Sequence, residues 1–269
     1  SLFGGGVAIG RLLRLDSQRG DYRRSWENHN LATLERLRQL DEHPEGESPY
    51  LIVSLGDSSV QGMGASRVTE SYPARLASAI TQQMDREVLL LNLSLSGATM
   101  GSVELTQLPQ MRGLGLLDGP YRPDLVTLTI GGNDVMAEDM APGQFEERLR
   151  RILAALPSGA LVSTIPSFGI MPQESRAQDM SDRIRAAVED SDAHLVDLRS
   201  LTQEYSLPTY TFAYHAADFF HPNSAAYAKW AQLFADAWAE SRREPAPVVE
   251  DAPQWDMLSA RVAQSEYDD

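Results

Sequence analysis

The stretch Leu51-Ile52-Val53-Ser54-Leu55-Gly56-Asp57-Ser58-Ser59-Val60-Gln61-Gly62 changes character halfway along. An apolar, β-prone run stops at Gly56, and a polar loop carrying Ser58 begins. In an open α/β sheet, the carboxyl end of a strand is where ligands and chemistry collect. Ser58 by itself reads equally as the cap of a following helix. Its meaning depends on what surrounds it.

Outward from this stretch, five short apolar runs have strand character: Tyr50–Leu55, Val88–Leu93, Leu125–Ile130, Leu161–Ile165 and His194–Leu198. Helical patterns lie between and after them. Tyr72–Met84 has Leu76, Ala77 and Ile80; Pro142–Leu156 has Phe145, Leu149 and Leu153. Gln173–Glu189 has Met180, Ile184 and Val188; Asn223–Ala239 has Tyr227, Trp230, Leu233, Phe234 and Trp238. Alternation of this kind implies βαβ crossovers and a mostly parallel five-stranded sheet covered on both faces.

Two flanks stand outside this pattern. In residues 1–49, Arg24 to Leu40 reads as one helix, with Trp26, Leu31, Leu34, Leu37 and Leu40 near helical spacing. The body then spans residues 50–241. From 242 to 269 the chain is acidic and broken by Pro245, Pro247 and Pro253. Trp255, Leu258, Val262 and Ala263 fit a short docking helix, but a solvated acidic tail is the preferred reading.

A formal net charge of −15 argues against nucleic-acid binding and against adhesion to anionic lipid. With no cysteine in 269 residues, disulfides, thiolate nucleophiles and cysteine-ligated zinc are excluded. The chain opens Ser1-Leu2-Phe3-Gly4-Gly5-Gly6, followed by Arg11, Arg14, Arg19, Arg23 and Arg24. That fits the trimmed end of a signal or anchor segment with a basic flank, and equally the start of a cytosolic piece. The compartment stays open, membrane contact is expected only at the N-terminus, and oligomeric state is not readable.

Three other places carry candidate chemistry. Asp218-Phe219-Phe220-His221-Pro222-Asn223 has an acid three residues before a histidine. Asp218 at that spacing can orient the imidazole and stabilise its cation. Gly131-Gly132-Asn133-Asp134 follows a strand, and the Asn133 amide can donate to an oxyanion. Gly97, in a Ser-Leu-Ser-Gly loop after Val88–Leu93, offers a backbone N–H. Each has a plainer reading as a turn or cap residue. Val60 stands where a Gly-x-Ser-x-Gly elbow needs glycine, and no phosphate-binding loop is present. A metal cluster of His215, Asp218 and His221 would leave Ser58 and Asn133 unexplained.

These blocks, in this order, resemble the SGNH hydrolases, also called the GDSL family. Gly56-Asp57-Ser58 with Gly62 matches the first block, Gly97 the second, Gly131-Gly132-Asn133-Asp134 the third, and Asp218-x-x-His221-Pro222 the last. The resemblance implies a three-layer α/β/α sandwich of flavodoxin-like type. It implies Ser58 as nucleophile, His221 as base and Asp218 as the acid. The oxyanion donors would be the Ser58 N–H, the Gly97 N–H and the Asn133 amide. No metal or organic cofactor is implied. The expected activity is hydrolysis of a small-molecule or glycan ester through an acyl-enzyme. O-acyl transfer to a sugar or other alcohol is the alternative, and a non-catalytic acyl- or glycan-binding scaffold is the third reading. Asp134 and Asp197 are rival acids; Asp134 would oppose an oxyanion, and Asp197 suits a helix cap. Pocket walls are expected from Met100–Leu117 and Ser167–Met180, with Met111, Leu114, Leu116 and Leu117 open between a substrate wall and the core.

Overall fold

The computed structural model describes residues 2–43, 47–84, 86–137, 140–204, 214, 216 and 220–260, with side chains from Gln18 onward. Five strands form one parallel sheet: β1 (Tyr50–Gly56), β2 (Val88–Asn92), β3 (Leu125–Thr129), β4 (Leu161–Ser163) and β5 (His194–Val196). Their order across the sheet is β2-β1-β3-β4-β5, all neighbours parallel. The helices are α1 (Leu2–Glu42), α2 (Tyr72–Gln83), α3 (Met100–Ser102), α4 (Leu108–Gly113), α5 (Gly132–Ala137), α6 (Pro142–Ala155), α7 (Glu174–Glu189), α8 (Leu198–Gln203) and α9 (Ser224–Arg242).

The two-residue period of a strand sends alternate side chains to opposite faces. Along β1, Leu51, Val53 and Leu55 enter a core shared with α6 and α7. Tyr50 and Ile52 enter a second core, with α2 and α9. Because both faces are covered, the strands are nearly continuous apolar runs. The parallel sheet covered on both faces that the order of elements predicts, and the three-layer α/β/α sandwich that the family resemblance implies, are the fold.

From β1 the chain crosses to β2 on one side, and β3 then pairs with β1 on the other. That reversal is a topological switch point, and the crevice at such a point opens at the carboxyl ends of the strands. Ser58 follows β1 at this place.

The N-terminal helix is longer than its sequence pattern suggested, since Gly4 to Gly6 lie within it. A glycine weakens a helix by roughly 1 kcal/mol but does not stop one. Its buried stripe is Tyr22, Trp26, His29, Thr33 and Leu37, whereas Leu31 is 67% exposed. Thr33 and the neighbouring Asn30 face the free edge of β2, where the Thr33 hydroxyl donates to the Leu90 carbonyl (3.4 Å). The Asn30 amide both donates to the Asn92 carbonyl (2.7 Å) and accepts from the Asn92 N–H (2.9 Å). Such a contact covers backbone groups that an edge strand would otherwise leave open.

Met100–Leu117, expected as loop, is largely helical. Its middle, Val103–Gln107, is a π-helical turn. Met111, Leu116 and Leu117 are buried in the core, with Leu114 packed against it, so this group does not form a substrate wall. The tail also packs on the body as far as Leu258. Val249, Trp255, Met257 and Leu258 are buried. The Leu258 N–H donates to His29 Nδ1 (3.0 Å). Val262 and Ala263 lie outside the described residues. No helix among the described residues is long and apolar enough to cross a membrane.

Candidate active site

Gly56 makes the transition from β1 to the loop with φ 141°, and a Cβ there would lie 2.0 Å from the Thr129 carbonyl oxygen. Only glycine fits so close an approach. Both backbone groups of Gly56 are held by one side chain. Its N–H donates to Gln107 Oε1 (2.9 Å), and its carbonyl accepts from Gln107 Nε2 (2.8 Å). The fully buried Gln107 sits at the end of the π-helical turn. The next residue, Asp57, turns inward and accepts from the Ser59 N–H (2.9 Å) and Ser59 hydroxyl (2.8 Å). Burial pushes the Asp57 carboxyl above its ordinary range, outweighing the opposing Ser59 bonds and the nearby His221.

Ser58 Oγ lies 2.9 Å from His221 Nε2, within hydrogen-bonding distance across 163 residues of sequence. His221 is placed by the segment leading into α9. The Ala216 N–H donates to the His221 carbonyl (2.7 Å), and the Asn223 N–H donates to that of Tyr214 (3.1 Å). Asn223 caps the start of α9. Its side chain accepts from the N–H groups of Ala225 (3.0 Å) and Ala226 (3.1 Å). Gly64, at φ 92°, brings the Ser58 loop against this segment. A Cβ there would meet the Pro222 oxygen at 2.4 Å and the His221 Cβ at 3.1 Å.

The three expected donors lie on loops and helix starts at this end of the sheet. Among the described residues, neither the Ser58 nor the Gly97 N–H donates to another group. Asn133 opens α5, and its amide donates to the carbonyl of Ala98, beside Gly97, at 2.8 Å. A primary amide carries two N–H bonds, so this contact orients Asn133 and leaves the other for a ligand.

The rival acids have other work. Asp134 accepts from the Met100 N–H at the start of α3 (3.1 and 3.0 Å). Asp197 caps α8, accepting from the Ser200 N–H (3.1 Å), and also takes bonds from Thr164 and Arg185. Burial raises its pKa, but the bonds from Ser200, Arg185 and Thr164 prevail and hold it below the ordinary range. Asp218 and His215 lie outside the described residues. Among the described residues no group of acids and histidines could hold a metal ion.

A pocket opens beside Ser58 and His221, with walls from Ile130, Phe168, Met171, Phe220, Pro222 and Trp230. Phe168 and Phe220 meet edge to face, ring centres 6.2 Å apart. The 166–171 loop is held from beneath by Glu174, which accepts from the Phe168 N–H (2.6 Å) and the Ser167 hydroxyl (3.1 Å). Glu174 also pairs with Arg199, whose side chain is 1% exposed. Of the walls expected from sequence, Ser167–Met180 contributes Ser167, Phe168 and Met171. Ile130 and Trp230 had been visible only as core positions. Gln107 and Gly64 carried no signal that separates them from ordinary helix and turn residues.

The GDSL-like lipase/acylhydrolase family model matches residues 54–229, more than half of the chain. This chain belongs to that family. A catalytic triad and an oxyanion hole are features of the family, and ester hydrolysis is its general chemistry. No curated protein matches the sequence. Among solved structures, the chain is similar to LAE5, an alpha/beta hydrolase enzyme from the metagenome of Lake Arreo, Spain. That likeness has 23% identity and a TM-score of 0.56, covering 72% of this chain and 97% of the other. It is also similar to a lipase/acylhydrolase from Enterococcus faecalis (19%, TM-score 0.57, 71% and 96% covered). Axe2, an acetylxylan esterase from Geobacillus stearothermophilus, is a third (19%, TM-score 0.53, 71% and 94% covered). At these identities the likeness concerns the fold. The family match leaves residues 1–53, with α1, and residues 230–269 outside it.

Proposed function

We propose that this chain is a serine esterase acting through a Ser58–His221–Asp218 triad on esters with an apolar acyl chain. The observation that carries the reading is the 2.9 Å contact between Ser58 Oγ and His221 Nε2 at the switch point of the sheet. With Nε2 unprotonated, the serine donates and the imidazole accepts, the arrangement a general base needs. Asp218 is assigned the Nδ1–H side of the ring, on its spacing from His221 and on the occupation of Asp134 and Asp197 elsewhere.

In the first half-reaction Ser58 Oγ bonds to the ester carbonyl carbon as its proton passes to His221 Nε2. The carbonyl electron pair moves onto oxygen, and the Ser58 and Gly97 N–H groups and the Asn133 amide stabilise that anion. Collapse re-forms the carbonyl and breaks the bond to the alcohol oxygen, which takes the proton from His221. Water then repeats the sequence on the acyl-enzyme, restoring Ser58 and releasing the acid. The two backbone donors, unused by the fold, support this role.

The apolar walls on the other side of Ser58 favour a hydrocarbon acyl chain over a sugar in that pocket. The test is a nitrophenyl ester series from acetate to decanoate, run beside acetylated glycans and with fluorophosphonate labelling. Labelling of wild type but not of Ser58→Ala, with an optimum beyond acetate, is expected. Failure of wild type to label overturns the serine mechanism, and a preference for acetylated glycans overturns the acyl assignment.

A further inference from the structure

The underside of the nucleophile loop rests on an element outside the family match. From α1, Trp26 Nε1 donates to the Gln61 carbonyl (3.0 Å) and the Tyr22 hydroxyl donates to the Ala65 carbonyl (2.8 Å). Gln18 adds a bond to the same Ala65 carbonyl (3.1 Å) and accepts from the Gly64 N–H (3.4 Å). These contacts run the length of the loop that begins at Ser58.

Gln61 passes the support onward. It lies three residues after Ser58 and is 3% exposed. Its Nε2 donates to the Ser94 carbonyl (2.9 Å), and its Oε1 accepts from the Ser96 hydroxyl (2.7 Å). Ser94 and Ser96 lead directly into Gly97. One side chain therefore fastens the loop bearing the Ser58 N–H to the loop bearing the Gly97 N–H. Neither N–H can serve as an anchor and still be free for an oxyanion, so the loops need another tie. Gln61 supplies one, beside Asn92, whose Nδ2 donates to the Val60 carbonyl (2.9 Å), and Trp26 holds Gln61 by its main chain.

We propose that α1 braces the oxyanion site, with Trp26 and Gln61 as positioning residues that set the separation of the two backbone donors. The proposal rests on the serine-esterase reading. Its physical basis is that such donors help only if fixed before charge develops. A misplacement of about 1 Å costs on the order of a hundredfold in rate.

The test compares Gln61→Leu, Ser96→Ala and Trp26→Phe with Arg36→Gln. The last breaks the 3.0 Å Arg36–Glu87 pair on α1, away from the loop. Nitrophenyl butyrate kinetics, affinity for a boronic acid that forms a tetrahedral anion on serine, and melting temperature are measured for each. Gln61→Leu is expected to lose roughly tenfold to a hundredfold in kcat at unchanged KM, with boronate affinity falling alongside. Ser96→Ala and Trp26→Phe are each expected to lose roughly threefold to tenfold, the scale of one hydrogen bond. Arg36→Gln should melt earlier at unchanged kcat. The brace is overturned if folded Gln61→Leu keeps wild-type kcat, if KM alone changes, or if all losses, including that of Arg36→Gln, merely track melting temperature. If Gln61→Leu does not fold, Ser96→Ala decides by the same criteria. Fluorophosphonate labelling of wild type reports on the esterase reading separately, and an unlabelled wild type overturns both.

Discussion

The two sides of Ser58 are built differently. Towards Gly97 and Asn133 the walls are polar and held by hydrogen bonds: Asn133 to Ala98, Gln61 to Ser94 and Ser96, Gln107 to Gly56. Towards Ile130, Phe168, Met171 and Trp230 the walls themselves are apolar, and the loop carrying Phe168 is anchored from beneath by Glu174. A polar side fixed by directional bonds suits charge that appears at one point in space. An apolar side whose polar supports lie beneath it suits a chain whose atoms need contact but no particular partner. The contrast predicts that substitutions on the polar side change kcat, and those on the apolar side change substrate preference.

The sharpest test removes the atom between the two sides. Ser58→Ala is expected to lower ester hydrolysis by several orders of magnitude while melting like wild type. Turnover near wild type in the folded variant would end the comparison. Asn133→Ala should cost roughly a hundred- to a thousandfold in kcat with little change in KM, because its amide is assigned to the transition-state charge. A change in KM alone would move Asn133 to substrate binding.

Glu174→Gln probes how the apolar side is supported. It leaves the buried Arg199 guanidinium without its anionic partner. Removing one member of a buried pair costs on the order of 3 kcal/mol. Denaturant unfolding should show that loss, and an unchanged midpoint would mean that the pair is not needed. Phe168→Ala should lower kcat/KM for octanoate roughly tenfold, the scale of a few lost apolar contacts, while leaving acetate nearly unchanged. Equal losses on both esters would show that Phe168 positions the reacting groups instead.

The smallest effect concerns Asp57, beneath both sides. Its folded pKa is raised by burial, so the folded protein holds this proton more tightly than the unfolded chain. Protonation therefore favours folding at low pH. That contribution is lost as pH climbs from the unfolded value near 3.8 through the raised folded value. Asp57→Asn can still accept from Ser59 and does not titrate. Wild type should lose melting temperature relative to this variant as pH rises across that window. Parallel curves would refute the shift.

The elements differed in how openly the sequence declared them. The strands were plain because burial on both faces demands unbroken apolar runs, and β1 to β5 fall within a residue or two of their expected limits. The helix α1 was only partly legible. Its buried face follows Thr33, which serves the edge of β2, and His29, which accepts from the tail at Leu258, whereas Leu31 points outward. Met111 and Leu116 could not be told apart from pocket residues, since core and pocket select the same apolar side chains.

From the residues alone came the order of strands and helices, the strand-end serine, the histidine beside a proline, and the glycine and asparagine blocks. These are local, because propensity, turn chemistry and short motifs act within a few residues. The crossing of the chain from β1 to β2 and back to β3, the 2.9 Å meeting of Ser58 with His221, and the tie from Trp26 through Gln61 to the Gly97 loop came only with tertiary structure. Each joins groups far apart in sequence. Their distances are set by how two cores pack on opposite faces of one sheet, and no local pattern encodes that.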